Sequence, residues 1–356
     1  MKHNRFATKI SLSVILLMTV MLFSTHAVWA DKAKELNIWT WSIYCPYFAT
    51  KSFEEKYGVK VNCAFFKSNE DCWNKMQAGG ESEGADIIQP SNHMVTPLAN
   101  AGLIAPIDVS KITNYEGIIE SFKKADYNTI DGKQYSVPFT FGVPGIGYRT
   151  DKIKEPPTGW AVLWDERYKG KIMDTTKAGD AFFKAGMLLG LDISRYDEDT
   201  DIKIEMVKAK LKEQNPLLLE SQQKAKDLLA AGDVWVTGAG GWIRMMILEG
   251  LPVAFVVPEE GTAIWIDQFC IPAKSQNMDL AHKWMDHMLS PEIAAQMVQK
   301  MGYLVVNAKV TSLLPPEWQK VMTFTDEETK RMVPYQTVKP ETLDKMIKAF
   351  KEVRGK

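Results

Sequence analysis

Histidine and cysteine are scarce in this chain of 356 residues, with five and four copies, and neither falls into a metal-binding pattern. There is no H-E-x-x-H and no pair of Cys-x-x-Cys units, so the common zinc enzymes and zinc fingers are excluded. No apolar run reaches the roughly 20 residues of a membrane-spanning helix. The glycine-rich Gly238-Ala239-Gly240-Gly241 lacks the Lys-Ser/Thr ending of a phosphate cradle and reads as a tight strand-to-helix turn. Gly80-Glu81-Ser82-Glu83-Gly84 has the spacing of a hydrolase nucleophile but lies in a polar loop leading into a strand, where a nucleophile elbow needs a strand before it and a helix after it. Repeats, low-complexity tracts and long flexible linkers are missing too, which leaves an ordinary globular composition, long enough for two domains.

The amino terminus carries the layout of an export signal. Lys2, Arg5 and Lys9 precede an almost uninterrupted apolar run from Ile10 to Phe23, and Val28-Trp29-Ala30 offers small residues around a cleavage point, so residues 1–30 are read as a signal peptide and the mature chain as starting at Asp31. No cysteine follows that point to take a lipid. Removing three basic residues leaves 43 − 3 = 40 against 44 acidic ones, a formal charge of −4 that argues against nucleic acid or an anionic membrane surface as a partner. Three histidines remain, His93, His282 and His287. The last two lie five apart on an amphipathic helix and are expected on a solvated face, and no metal or other cofactor is implied. Cys45, Cys63, Cys72 and Cys270 leave three pairings open; the cluster before residue 73 allows a disulfide, and Cys270 reads as a buried strand residue. Cys45, at a helix start, is the one candidate nucleophile, and nothing in the sequence supplies its base.

From Glu35 onward short β-rich runs alternate with helical patterns, the mark of an α/β fold with a largely parallel sheet. Strands are expected at 36–39, 59–66 and 85–89, with helices at 48–57 and 69–77 between them. The middle third repeats the alternation, with strands at 171–173, 234–237 and 253–257 and helices at 180–189 and 202–213. Ser290-Pro291-Glu292 has the signature of a helix start. Two α/β lobes facing each other across a cleft follow, with loops at the strand ends carrying Trp41 and Tyr44, then Ser68 and Asn69, then Ser91, Asn92 and His93.

Those loops hold groups suited to one kind of ligand. An aromatic face attracts an ammonium by about 0.5–2 kcal/mol, and a carboxylate adds a charge-assisted hydrogen bond of about 1.5–3 kcal/mol. Trp41 with Tyr44, and Trp265 with Asp267, supply both. Strand alternation puts Trp265 and Asp267 on the same face, whereas Trp73, Trp160, Trp164 and Trp284 read as core.

Several segments together resemble the periplasmic spermidine/putrescine-binding proteins: Trp39-Thr40-Trp41-Ser42-Ile43-Tyr44, Phe66-Lys67-Ser68-Asn69-Glu70, Gly159 to Trp164 with Tyr168-Lys169-Gly170, Pro258-Glu259-Glu260-Gly261 running into Trp265-Ile266-Asp267, and Gly302-Tyr303 with Asn307. The similarity is colinear over nearly all of the mature chain. It implies a type II periplasmic-binding-protein fold, two lobes joined by two crossovers, with residues 31–141 and 269–330 in one lobe and 142–268 and 331–356 in the other. It also implies a monomeric periplasmic receptor that delivers a small amine to an ABC permease. Carried over by motif, Trp41 and Tyr44 line the first wall, Ser91 and His93 fall on the third loop, Trp265 stacks on the ligand, Asp267 holds an ammonium, Asp180 is a carboxylate just inside a helix, and Gln336 is a polar contact.

The departures from that pattern define the alternatives. Ile43 stands where the family has an acidic residue, Lys177 stands in place of a carboxylate three residues before Asp180, and Ala239 replaces a Trp, whose space Trp242 is positioned to refill. Lys177 beside Thr175 and Thr176 suits an anion as well as it suits water. The leading reading is therefore a receptor for a polyamine such as putrescine or spermidine. The second is a receptor for a zwitterion with its amine on Asp267 and an acid group near Lys177, and the third is a secreted enzyme using Cys45.

Overall fold

The computed structural model describes residues 34–79, 84–192, 196–219, 221–335 and 338–355; the signal segment, Gln336 and most of the Gly80–Gly84 motif lie outside them. The first α/β unit opens with β1 (Glu35–Thr40), α1 (Tyr47–Tyr57), β2 (Lys60–Phe65), α2 (Asn69–Ala78) and β3 (Ile87–Ile88). β1 lies between β2 and β3, parallel to both. Local chemistry fixes the helix ends. Gly58 takes the left-handed conformation that closes α1 (φ 64°), its N–H donating to the Glu54 carbonyl, and the Ser68 hydroxyl caps α2 by accepting from the Asp71 amide at 3.1 Å.

β4 (Val137–Gly142) leads straight into β5 (Gly145–Arg149), which belongs to a second sheet. That sheet is completed by β6 (Ile172–Asp174), β7 (Leu217–Leu218), β8 (Val236–Ala239) and β9 (Val253–Val256), in the order β7-β6-β8-β5-β9. The chain then returns through β10 (Thr262–Phe269), antiparallel to β4, so the passage out and the passage back run side by side. β11 (Leu304–Val305) and β12 (Met332–Pro334) flank this pair, and an isolated bridge from Ile88 to Cys270 joins it to the first sheet. The mixed sheets with helices on their faces, and the double passage, give the two-lobed α/β architecture expected.

The expected 85–89 strand is only two residues long in the ladder, because the chain beyond Ile88 turns to pair through single bridges at Cys270 and Asp267. Trp160 and Trp284 are fully buried, as expected; Trp73 and Trp164 pack half-buried against their cores. The solvated face expected for His282 and His287 is wrong. The helix that carries them, α6 (Met278–Leu289), is covered on both sides, leaving them 3% and 8% exposed. His282 Nε2 accepts from the Asp108 amide at 3.2 Å, and His287 Nε2 lies 3.1 Å from the Ala49 carbonyl. Both tie α6 to first-unit segments, a role that periodicity cannot distinguish from exposure. Among the described residues no helix is long and apolar enough to cross a membrane, and no group of His, Cys, Asp and Glu forms a metal cluster.

Candidate functional site

Loops at the carboxyl ends of the first-sheet strands converge on one carboxylate, Asp267 of β10. After β1 the backbone turns on a hydrogen bond from the Tyr44 amide to the Trp41 carbonyl, which aims the Tyr44 side chain inward. The Tyr44 hydroxyl donates to Asp267 Oδ2 at 2.6 Å and accepts from the Thr140 hydroxyl at 2.7 Å. The Ser91 hydroxyl, on the loop after β3, donates to Asp267 Oδ1 at 2.7 Å. Asn69 in turn holds Ser91 in place, its amide oxygen accepting from the Ser91 N–H at 3.0 Å and its amide nitrogen donating to the Ser91 hydroxyl at 3.1 Å. Thus each oxygen of Asp267 has a hydroxyl donor, and each donor is itself oriented by another group.

Asp267 is 5% exposed, and burial pushes its carboxyl up to about 6, against the opposing pull of the Tyr44 and Ser91 hydrogen bonds and the positive charge of Lys177. The two hydroxyls do not neutralise the buried carboxylate, so a cation seated there would relieve it. Burial, then the Asp267 charge, raises the Tyr44 phenol, which stays a donor.

Aromatic groups surround this carboxylate. Trp265, two residues before it on β10, is half-buried, and its indole lies over Gly142 of β4: a side chain at Gly142 would meet the ring at 2.1 Å. Tyr303, between α7 (Pro291–Met301) and β11, has its ring centroid 5.9 Å from Tyr44 and 6.0 Å from Trp265. Its phenol is raised by burial and by the charge of Asp267. Trp41 sits edge-on to Phe66 at 4.6 Å. Tyr303 and Thr140 were not singled out as site residues from the sequence. Gly302-Tyr303 carried a signal in the family motif, whereas Thr140 shows itself only through the pairing of β4 with β10.

A second group of residues gathers around Asp180, in the first turn of α3 (Ala178–Leu188). Its Oδ1 accepts from the Tyr335 hydroxyl at 3.3 Å and its Oδ2 from the Thr175 hydroxyl at 3.4 Å. Tyr335 also approaches the half-buried His93 ring, at 5.8 Å, and desolvation lowers that imidazole to about 4, so it is neutral near pH 7. Lys177, at the N-cap of α3, is exposed, and its charge reaches Asp267. Trp242, which opens α5 (Trp242–Leu248), packs against the apolar cluster of Met173, Leu229 of α4 (Gln222–Ala231) and Ile243.

The cysteine pairing that the sequence left open resolves as Cys45–Cys63, with Cys72 and Cys270 buried as free thiols. The bond pins the Trp41–Tyr44 loop to β2. It also consumes the Cys45 sulfur, so the proposed thiolate nucleophile is absent from this structure.

Comparison with known proteins gives the family. A family model described as bacterial extracellular solute-binding protein matches residues 49–325. Spermidine/putrescine-binding periplasmic protein 1 of Haemophilus influenzae is 30% identical over 285 residues, covering 79% of this chain and 77% of its own. The putrescine-binding periplasmic protein PotF of Escherichia coli is 27% identical over 314 residues, 81% of this chain and 82% of its own. The crystal structure of the spermidine/putrescine ABC transporter substrate-binding protein PotD of Streptococcus pneumoniae superposes with a TM-score of 0.78 at 26% identity, covering 91% of this chain and 99% of that one. With the family model spanning most of its length, the chain belongs to the bacterial extracellular solute-binding proteins.

Proposed function

We propose that this protein is the periplasmic receptor of an ABC importer and binds a small organic amine of the polyamine kind, putrescine or spermidine in character, without turning it over. The observation that carries this reading is the buried Asp267 carboxylate, held by two oriented hydroxyls among Trp265, Tyr44 and Tyr303. An ammonium seated there gains a charge-assisted hydrogen bond and aromatic faces together. Asp180 supplies a second carboxylate for the far end of a diamine. The names of the relatives point the same way. The export signal at 1–30, a mature start at Asp31, action as a monomer and delivery to an inner-membrane permease are parts of the same proposal. So is the division into lobes 31–141 with 269–330 and 142–268 with 331–356, and so is a place for Gln336 in the ligand site.

A second reading, a zwitterionic ligand, rests on Lys177, whose charge reaches Asp267. An acid group would take Lys177 while the amine takes Asp267. Titration calorimetry of the mature protein with putrescine, spermidine and 4-aminobutanoate decides between the two. Tightest binding of a polyamine supports the first reading, tightest binding of the amino acid the second, and binding of none of the three rejects both.

A further inference from the structure

Beneath the turn that bears Lys177 and Asp180 lies a buried polar relay, away from Asp267. Asp174 ends β6 and Lys184 sits in the second turn of α3; they are 3% and 5% exposed and form an ion pair. Each partner also holds a turn. Asp174 Oδ1 accepts from the Thr175 amide at 2.7 Å, and the Thr175 hydroxyl accepts from the Lys177 amide at 3.0 Å, so the carboxylate sets the path of the Thr175–Asp180 turn. The Lys184 ammonium donates to the Gly238 carbonyl at 3.3 Å, on the strand that leads into the Gly238–Gly241 turn.

The other side of the relay reaches the carboxyl-terminal helix, α8 (Pro340–Arg354). The Gln214 amide donates to Asp174 Oδ2 at 3.2 Å and to the Leu163 carbonyl at 3.1 Å, and Arg354 donates to the Gln214 side chain and, at 2.7 Å, to its carbonyl. Gly238 completes the fit: a Cβ there would lie 2.7 Å from Leu163 and 2.9 Å from Asp174 Oδ1.

A buried ion pair is a poor device for stability alone, since an apolar pair of similar volume does as well or better. It does fix direction, because each charge accepts or donates only along set lines. We propose that Asp174 and Lys184 are the positioning residues of the second ligand wall, holding the Thr175–Asp180 and Gly238–Gly241 turns in mutual register. The inference rests on reading that face as part of a ligand site.

Hydrogen exchange on ligand-free protein, run beside calorimetry with putrescine, tests it with two variants, Lys184→Met and the double variant Asp174→Leu with Lys184→Met. Lys184→Met is expected to speed exchange of the Thr175 and Lys177 amides at least tenfold while leaving the Ser91 amide in the other lobe unchanged, and to weaken putrescine binding at least tenfold. The double variant removes the unpaired charge, so its thermal midpoint is expected to return to wild type while exchange and affinity stay impaired. If the single variant fails to fold, the double variant decides. Wild-type exchange at Thr175 and Lys177 in the double variant would overturn the proposal, since packing alone would then place the turn. If wild-type protein binds neither putrescine nor spermidine, the polyamine reading falls and the exchange arm still decides the positioning.

Discussion

The surroundings of Asp267 and of Asp180 hold their polar groups differently. Around Asp267 the donors sit at 2.6–2.7 Å, all buried, and a disulfide pins the loop that supplies Tyr44. Around Asp180 the side-chain bonds are 3.3 and 3.4 Å long, and Lys177 next to them is exposed. On the proposed function the first face is a preformed seat for one charge, and the second, with its longer bonds, has room to adjust. Binding strength should therefore be concentrated in the first face, and choice among amines in the second.

The largest effect should come from removing the charge of the preformed seat. Asp267→Asn keeps the shape but leaves a desolvated ammonium without a counter-charge, a loss of about 2–5 kcal/mol in affinity by calorimetry. The same variant should raise the thermal midpoint of ligand-free protein at pH 8, where wild type carries an ionised buried carboxylate. Opening the disulfide by Cys45→Ala with Cys63→Ala should cost about 2–4 kcal/mol of unfolding free energy in denaturant titrations. That change is expected to produce no loss of any chemical turnover, because the Cys45 sulfur is bonded to Cys63. Trp265→Ala should weaken binding by about 1–3 kcal/mol, seen in stopped-flow as faster release. Lys177→Asp should have the smallest effect on a polyamine, tightening it by roughly 1 kcal/mol at an exposed position, and the opposite sign on a zwitterion would move the ligand assignment to the second reading.

Much of the preformed face was legible in the sequence, because it is built from local order: loops after β1 and β3, and i, i+2 alternation along β10 that puts Trp265 and Asp267 together. What was not legible came from pairing across the chain. Thr140 meets Tyr44 only because β4 runs antiparallel to β10. Cys45 finds Cys63 rather than Cys72 because Cys63 lies on β2 next to the Trp41–Tyr44 loop, while Cys72 points into the cluster with Cys270. The burial of His282 and His287 depends on segments 174 and 238 positions away, and one amphipathic pattern does not encode a second covered face. Neither Asp174 nor Lys184 stood out in the sequence, since neither residue type announces a buried partner.

The proposed function seats the ligand's ammonium on the Asp267 carboxylate. Burial raises that carboxyl to about 6 in ligand-free protein, so near pH 6 it is about half protonated, and a seated cation draws its proton off. His93, lowered to about 4, stays neutral there and adds no proton exchange. Calorimetry of the best amine at pH 6 in two buffers of different ionisation enthalpy measures this directly. Release of roughly half a proton per ligand bound is expected, lost in Asp267→Asn, with affinity at pH 5 about tenfold weaker than at pH 7.5. A binding heat independent of buffer at pH 6, with affinity flat from pH 5 to 7.5, would contradict it.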